Sequence, residues 1–194
     1  FEIRKSIHES QNIKIKMNSI PDPSYLKSFI KNYENYPKKG ISFKDISPLV
    51  NNPELFEQCV FSLLVQIFPD ALKKGIPSNS SFTWAGIESR GFIFASALSF
   101  LTHRGLTLIR KGGKLPDRKQ VVGTSYKLEY GQDKLEMYKG KGDIIIVDDV
   151  LATGGTLKAA NSLAKKAGYN KMYSVCLVDI GLLKNHKYKC VISY

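Results

Sequence analysis

Two periods of apolar and polar residues run along this chain. From Pro53, the apolar residues Leu55, Phe56, Cys59, Val60, Leu63, Leu64, Ile67 and Phe68 recur at spacings of three and four, which predicts an amphipathic helix. Asn52 stands where a cap belongs and Pro53 where the first helical residue needs no N–H. Pro77 to Ser81 reads as a loop, Phe82 to Ile87 as a short strand, Phe92 to Leu101 as a helix entered after Gly91, and Leu106 to Arg110 as a second strand. Gly112 to Gly123, rich in Gly and Lys and holding Pro116, breaks both periods and predicts a mobile excursion. Val121 to Glu129 and Lys134 to Tyr138 fit a β-ribbon around Tyr130-Gly131. Asp143 to Val147 is dominated by Ile and Val, the composition of a strand covered on both faces, and such strands belong to parallel sheets. A helical pattern from Thr156 to about Ala167, closed by Gly168, leads to a further strand over Met172 to Val178. Strand, helix, strand in that order is a right-handed crossover. The chain therefore predicts an α/β fold, a mostly parallel twisted sheet with helices on both faces.

The length of 194 residues suits one domain, and 43% hydrophobic with 24% charged residues is an ordinary globular balance. No repeat or low-complexity linker divides it, and no apolar run approaches the roughly 20 residues that span a bilayer, so no membrane partner is expected. Phe1 to Lys16 alternates apolar with charged residues, Glu2 and Glu9 among them, unlike a secretory signal. Residues 1–16 are read as an extension or leader before Met17, and 17–194 as the single domain. Cys59, Cys176 and Cys190 are widely spaced with no C-x-x-C, which suggests neither a disulfide framework nor a zinc site and favours a reducing, cytoplasmic setting. His8, His103 and His186 are isolated and read as surface or structural residues.

The net charge of +12 is not one tail. Arg110, Lys111, Lys114, Arg118 and Lys119 form a dense basic group next to the one acidic stretch, 143–164. That pairing suits an anionic small molecule at least as well as nucleic acid. The excess after Lys165 reads as a solvated surface.

Chemistry concentrates after the buried strand, in Asp148-Asp-Val-Leu-Ala-Thr-Gly-Gly155. Open α/β sheets bind ligands at such strand ends. Gly154 and Gly155 let main chain approach an anion, Thr153 and Thr156 add hydroxyls, and the next helix offers unpaired N–H groups at its positive end. Asp148 and Asp149 would repel a phosphate and are expected to face a polyol or a hydrated cation instead. Phosphate at one end and vicinal hydroxyls at the other describe a ribose 5-phosphate. Read alone, T-G-G-T also fits a tight turn with acids at its rim. No G-x-x-x-x-G-K-[ST] run is present, and Gly140-Lys-Gly142 lacks the third glycine of a dinucleotide loop.

Val147-Asp-Asp-Val-Leu-Ala-Thr-Gly-Gly-Thr156 resembles the phosphoribosyl pyrophosphate loop of the type I phosphoribosyltransferases. Three further stretches, in order and with matching spacing, resemble the adenine phosphoribosyltransferases among them. They are Gly40-Ile-Ser-Phe-Lys-Asp-Ile-Ser-Pro48; Glu88-Ser-Arg-Gly-Phe92 with Arg110-Lys-Gly-Gly-Lys-Leu-Pro116; and Ser125-Tyr-Lys-Leu-Glu-Tyr-Gly131.

The resemblance implies the type I fold with a small base-binding hood about 17–50 and a flexible lid about 112–130. It implies transfer of the 5-phosphoribosyl group from phosphoribosyl pyrophosphate to N9 of adenine, giving AMP and pyrophosphate, with Mg²⁺ held mainly through substrate and no firm direct protein ligand. Charge builds on the leaving pyrophosphate while the sugar turns cation-like, so fixed positive charge and carboxylates are both needed. By resemblance, Ser89, Arg90, Arg110, Lys111 and Lys114 serve the pyrophosphate, and a non-proline cis peptide falls near Glu88-Ser89. Ala152, Thr153, Gly154, Gly155 and Thr156 serve the 5-phosphate, Asp148 and Asp149 the ribose, and Tyr130 closes over the sugar. Glu129 assists proton movement at the base, although Lys127 to Tyr130 read alone is an edge strand with one exposed glutamate. Ser42, Phe43 and Lys44 form the base pocket, with Lys44 where many members have Arg, a point charge in place of a fork. A homodimer is implied. The alternatives are transfer to another purine base, or a non-catalytic regulator that binds phosphoribosyl pyrophosphate.

Overall fold

The computed structural model describes residues 22–69, 81–128 and 131–194. Five parallel strands, β3 (Phe82–Ile87), β4 (Gly105–Lys111), β7 (Asp143–Leu151), β8 (Met172–Asp179) and β9 (Lys189–Ser193), form most of a seven-stranded sheet. A hairpin of β5 (Val121–Leu128) and β6 (Gly131–Tyr138) joins its edge, with β6 antiparallel to β4. The order is β5-β6-β4-β3-β7-β8-β9, so the chain reverses direction across the sheet between β3 and β7. Such a switch point leaves a crevice outside the carboxyl ends of the two strands.

β7 is covered on both faces, as its Ile/Val run predicts. Ile145 and Val147 enter a core with α3 (Pro53–Ile67) and α4 (Gly91–Thr102), whereas Ile144 and Ile146 pack with α5 (Gly155–Lys166) on the other side. The helix predicted from Pro53 forms where expected, and the Asn52 side chain accepts from the amides of Glu54 and Leu55 at 3.0 Å each. Gly168 ends α5 with φ +103°, and a Cβ there would lie 2.7 Å from the Gly140 carbonyl oxygen. Both a left-handed turn and a close main-chain approach thus require glycine at that position.

Three differences from the sequence expectation bear on the site. β7 does not stop at Val147: it continues to Leu151, pairing Asp148 with Cys176 and Val150 with Val178, so Asp148 and Asp149 lie within the strand. The long β8 supplies partners past the switch point, and main-chain pairing overrides the charge of the side chains. The N-terminal region contributes α1 (Pro23–Lys27), a two-stranded sheet of β1 (Lys31–Glu34) and β2 (Ser42–Asp45), and α2 (Ser47–Asn51). Finally, the segment after β4 is irregular only over 112–120 and is folded back onto β6, with Leu115 buried. Among the described residues, no helix is long and apolar enough to cross a membrane.

Candidate active site

The crevice at the ends of β3, β4 and β7 has a volume of about 550 Å³. Its walls include Ser89, Arg90, Lys111, Lys114, Asp148, Asp149, Ala152 and Thr156, which the sequence had named for the site, together with Glu88, quoted there only for its matched stretch and peptide bond, and Asp133, not singled out at all. Local structure explains the convergence. Gly91 opens α4 hard against β7, since a Cβ there would lie 2.5 Å from the Val147 carbonyl oxygen. That approach brings Arg90 Nε to 2.7 Å from Asp149 Oδ2. The contact is an ion pair without the alignment of a hydrogen bond, because the same oxygen lacks a hydrogen-bond partner.

The two aspartates are poorly provided for. Burial, then the charge of Asp149, pushes the Asp148 carboxyl well above the usual carboxylate range, while the Asp149 amide donates to Asp148 Oδ1 at 2.9 Å. Burial raises Asp149 as well, and Arg90 offsets part of that rise. A buried and a half-buried carboxyl side by side, with one arginine against Asp149, are short of positive charge and of donors. A ligand rich in hydroxyls or carrying a cation supplies both.

Opposite them, the Glu88-Ser89 peptide is cis, as the resemblance implied. The Glu88 side chain gathers the basic residues: it accepts from the Lys111 amide at 2.9 Å, contacts Lys114 Nζ, and lies 3.4 Å from Arg110 Nε. Burial alone would raise its carboxyl; these donors and charges outweigh burial and hold it below the usual range. Lys111 and Lys114 remain exposed at the crevice, with Lys111 Nζ 3.8 Å from Asp133 Oδ2. Arg110 is turned toward Glu88 and the Lys114 carbonyl rather than lining the crevice.

Downstream of β7, Gly154 opens α5 in the left-handed region with φ +77° and no side-chain cap. The first turn of α5 thus has no side-chain cap for its N–H groups, and Thr156 of that turn lines the crevice, with the positive end of the helix dipole beside it. Thr153 is exposed, and Gly155 is the first helical residue.

Ser42, Phe43 and Lys44 sit on β2, beside the crevice but outside its wall. Arg90 bridges the two regions: its guanidinium carbon lies 5.1 Å from the Phe43 ring centre and its NH1 3.4 Å from the Lys44 carbonyl oxygen. Ser42 Oγ donates to Asn32 Oδ1 at 2.8 Å, and Lys44 Nζ donates to the same oxygen at 2.9 Å while lying 4.1 Å above the Tyr194 ring. Glu129 and Tyr130 lie outside the described residues.

Sequence reasoning missed Glu136, on β6. Its carboxylate accepts from the amides of Lys114 and Leu115, both at 2.6 Å, and from Arg118 NH1 at 2.7 Å. Burial works against ionisation, but amide and guanidinium donors overcome it and bring the pKa to about 2. The only signal for it was one acid between Leu135 and Met137 in an alternating ribbon, where a solvated face is the ordinary reading.

The phosphoribosyl transferase domain family matches residues 63–194. The adenine phosphoribosyltransferase of Prochlorococcus marinus strain NATL2A is 43% identical over 167 residues, covering 84% of this chain and 91% of its own. A crystal structure of adenine phosphoribosyltransferase from Rhodothermus marinus superposes with TM-score 0.75 at 34% identity, over 89% of this chain and 98% of that one. The Saccharomyces cerevisiae adenine phosphoribosyltransferase, solved with an imino-altritol bisphosphate and adenine, gives TM-score 0.73 at 30% identity over 87% and 96%. Fold and crevice are those of an α/β transferase that handles phosphorylated sugars. The chain belongs to the phosphoribosyl transferase family, and the relatives named above place it among the adenine phosphoribosyltransferases.

Proposed function

We propose that the chain transfers the 5-phosphoribosyl group of phosphoribosyl pyrophosphate to N9 of adenine, forming AMP and releasing pyrophosphate in purine salvage. One observation carries the reading: the Asp148-Asp149 pair, met among the described basic residues only by Arg90, shares one crevice with Lys111, Lys114 and Thr156 of the uncapped first turn of α5.

In this reaction the bond from C1 of the sugar to the pyrophosphate oxygen breaks, and its electron pair leaves with pyrophosphate. The N9 lone pair closes on C1 from the opposite face, with inversion. Lys111, Lys114 and Arg90 stabilise the charge that grows on the leaving group. Asp148 and Asp149 accept hydrogen bonds from the ribose hydroxyls and stabilise the cation-like sugar, a reading supported by the shortage of donors that raises both carboxyls. Ala152 to Thr156 hold the 5-phosphate through main-chain amides and hydroxyls. Glu129 takes the proton that adenine gives up as N9 becomes bonded, and Tyr130 covers the sugar; both assignments come from the motif. Residues 112–130 act as the lid that keeps water from the cation-like carbon. Phe43 stacks on the purine. With the Lys44 ammonium held by Asn32 and Tyr194, the choice of base rests on the main chain around Ser42.

The residues suit Mg²⁺. Hard cations take oxygen ligands and keep substrate phosphates and water in their shell. Among the described residues, the acids of the crevice are not gathered three to a point as in an all-protein cage; Glu88 is occupied by Lys114 and the Lys111 amide, and Asp148 and Asp149 remain to meet such an ion through the substrate hydroxyls. When bound, the ion neutralises pyrophosphate charge. We further propose a cytoplasmic homodimer, the cytoplasmic part supported by three free cysteines.

Incubation with phosphoribosyl pyrophosphate, Mg²⁺ and each of adenine, hypoxanthine and guanine, followed by quantification of AMP, IMP and GMP, tests the proposal. AMP is expected to dominate. Equal or greater IMP output would defeat the adenine assignment while leaving the family intact.

A further inference from the structure

A second group of reactive side chains lies along the β8–β9 pair and the connection between them, and the transfer chemistry leaves it unused. Asp179 closes β8, Cys190 sits near the start of β9, and His186 belongs to the connection between them. Each offers one ligand atom, and these atoms lie within 4.8 Å of one another. In sequence the residues look unrelated, and the absence of C-x-x-C argued against zinc. Parallel pairing of β8 with β9, Cys176 opposite Cys190, is what assembles them.

The group is held from outside. Asp179 Oδ1 accepts from the Gly181 amide at 2.8 Å, which leaves Oδ2 facing His186 Nε2 at 2.9 Å. The His186 ring stacks on Tyr188 with centres 5.8 Å apart and planes 30° apart. Its Nδ1 is buried with no hydrogen-bond partner, so the imidazole is incompletely satisfied by protein alone. Cys176 is the residue directly opposite Cys190 on β8.

We propose that Asp179, His186 and Cys190 bind a divalent transition-metal ion of the zinc class, at a site separate from the phosphoribosyl crevice. Carboxylate, imidazole and thiolate together are the donor set of a borderline-soft, four-coordinate ion; Mg²⁺ and Ca²⁺ select oxygen and do not choose a thiol. Ligand bonds of about 2.0 to 2.3 Å place tetrahedral neighbours roughly 3.3 to 3.8 Å apart, so the group closes on an ion by side-chain rotations of about an ångström. Water takes the fourth position. The connection that carries His186 also carries Leu183, which stands behind the phosphate loop: a Cβ on Gly154 would lie 2.5 Å from Leu183 Cδ2 and 3.6 Å from Tyr188 Cε2. A bound ion therefore braces the segment on which that loop rests. The inference does not depend on which base the enzyme uses.

Cobalt(II), a spectroscopic stand-in for zinc, provides the test. The metal-free 194-residue chain titrated with Co²⁺ is expected to bind one equivalent, show a thiolate-to-cobalt charge-transfer band in the near ultraviolet, and lose it on addition of Zn²⁺. Cys190→Ser removes the band, Cys59→Ser retains it, and His186→Gln weakens cobalt binding by at least about tenfold. A titration without a thiolate band, or one in which Cys190→Ser keeps it, overturns the proposal. Should Cys190→Ser fail to fold, His186→Gln in the partly exposed connection decides alone: unchanged cobalt affinity is a refutation.

Discussion

Two of the places where this molecule draws carboxylates away from water stand under opposite conditions. Glu136 is surrounded by donors from a loop that folds over it, and its pKa falls to about 2. Asp149 is buried and Asp148 half-buried beside it, with one arginine against Asp149, and both carboxyls are raised. The first arrangement is complete in the protein alone and fastens 112–120 to the sheet. The second is incomplete until a ligand arrives. A buried charge left short of partners is costly, and at the end of a parallel strand beside a helix N-terminus the deficit marks the place where substrate completes the structure.

Substitutions that break this contrast should separate activity from stability. Asp148→Asn removes a badly solvated charge: turnover is expected to fall by at least about 10²-fold, while stability in denaturant rises by about 0.5 to 2 kcal/mol. A variant both active and less stable would contradict the contrast. Glu136→Ala should act the other way, costing about 1 to 3 kcal/mol because two amides lose their acceptor, with the Arg118 contribution discounted for its exposure; urea unfolding checks it. The pH dependence should diverge in the same sense. The folded pKa of Glu136 is depressed, so its contribution is present above the ordinary glutamate value of about 4.3 and is lost as pH falls toward about 2. Asp148 is raised when folded, so it favours folding while protonated and opposes it as pH climbs above the ordinary aspartate range. Glu136→Gln should flatten the acid limb of a stability-against-pH curve, and Asp148→Asn the limb above it. The smallest effect tests a region with no part in the contrast. Asn52→Ala should cost about 1 kcal/mol through the α3 cap and leave turnover unchanged.

How much of this was legible in the sequence depended on whether a residue's surroundings were local. α3 announced itself through spacing and the Asn52-Pro53 start, and β7 with α5 through an Ile/Val run followed by glycines. β1 gave no sign, because all four of its residues are exposed and no alternation marks them. The extent of β7 was hidden because Asp148 and Asp149 look like a strand's end, and only pairing with β8 shows otherwise. Residues of the crevice could be named from matched stretches, yet the Arg90 contact with Asp149 depends on how closely α4 approaches β7. Glu136 rests on partners distant in sequence, and the group around His186 is assembled by the pairing of β8 with β9, so no local pattern reports either.

The central claim is that the unsatisfied acid pair, and not the satisfied acid, serves the reaction. Labelled adenine with phosphoribosyl pyrophosphate and Mg²⁺, given in parallel to the unaltered chain, Asp148→Asn and Glu136→Gln, puts it to a single measurement of AMP formed per unit time. The account predicts rapid AMP formation by the unaltered chain, a loss of at least about 10²-fold in Asp148→Asn, and a far smaller loss in Glu136→Gln. Equal rates in the unaltered chain and Asp148→Asn would contradict it.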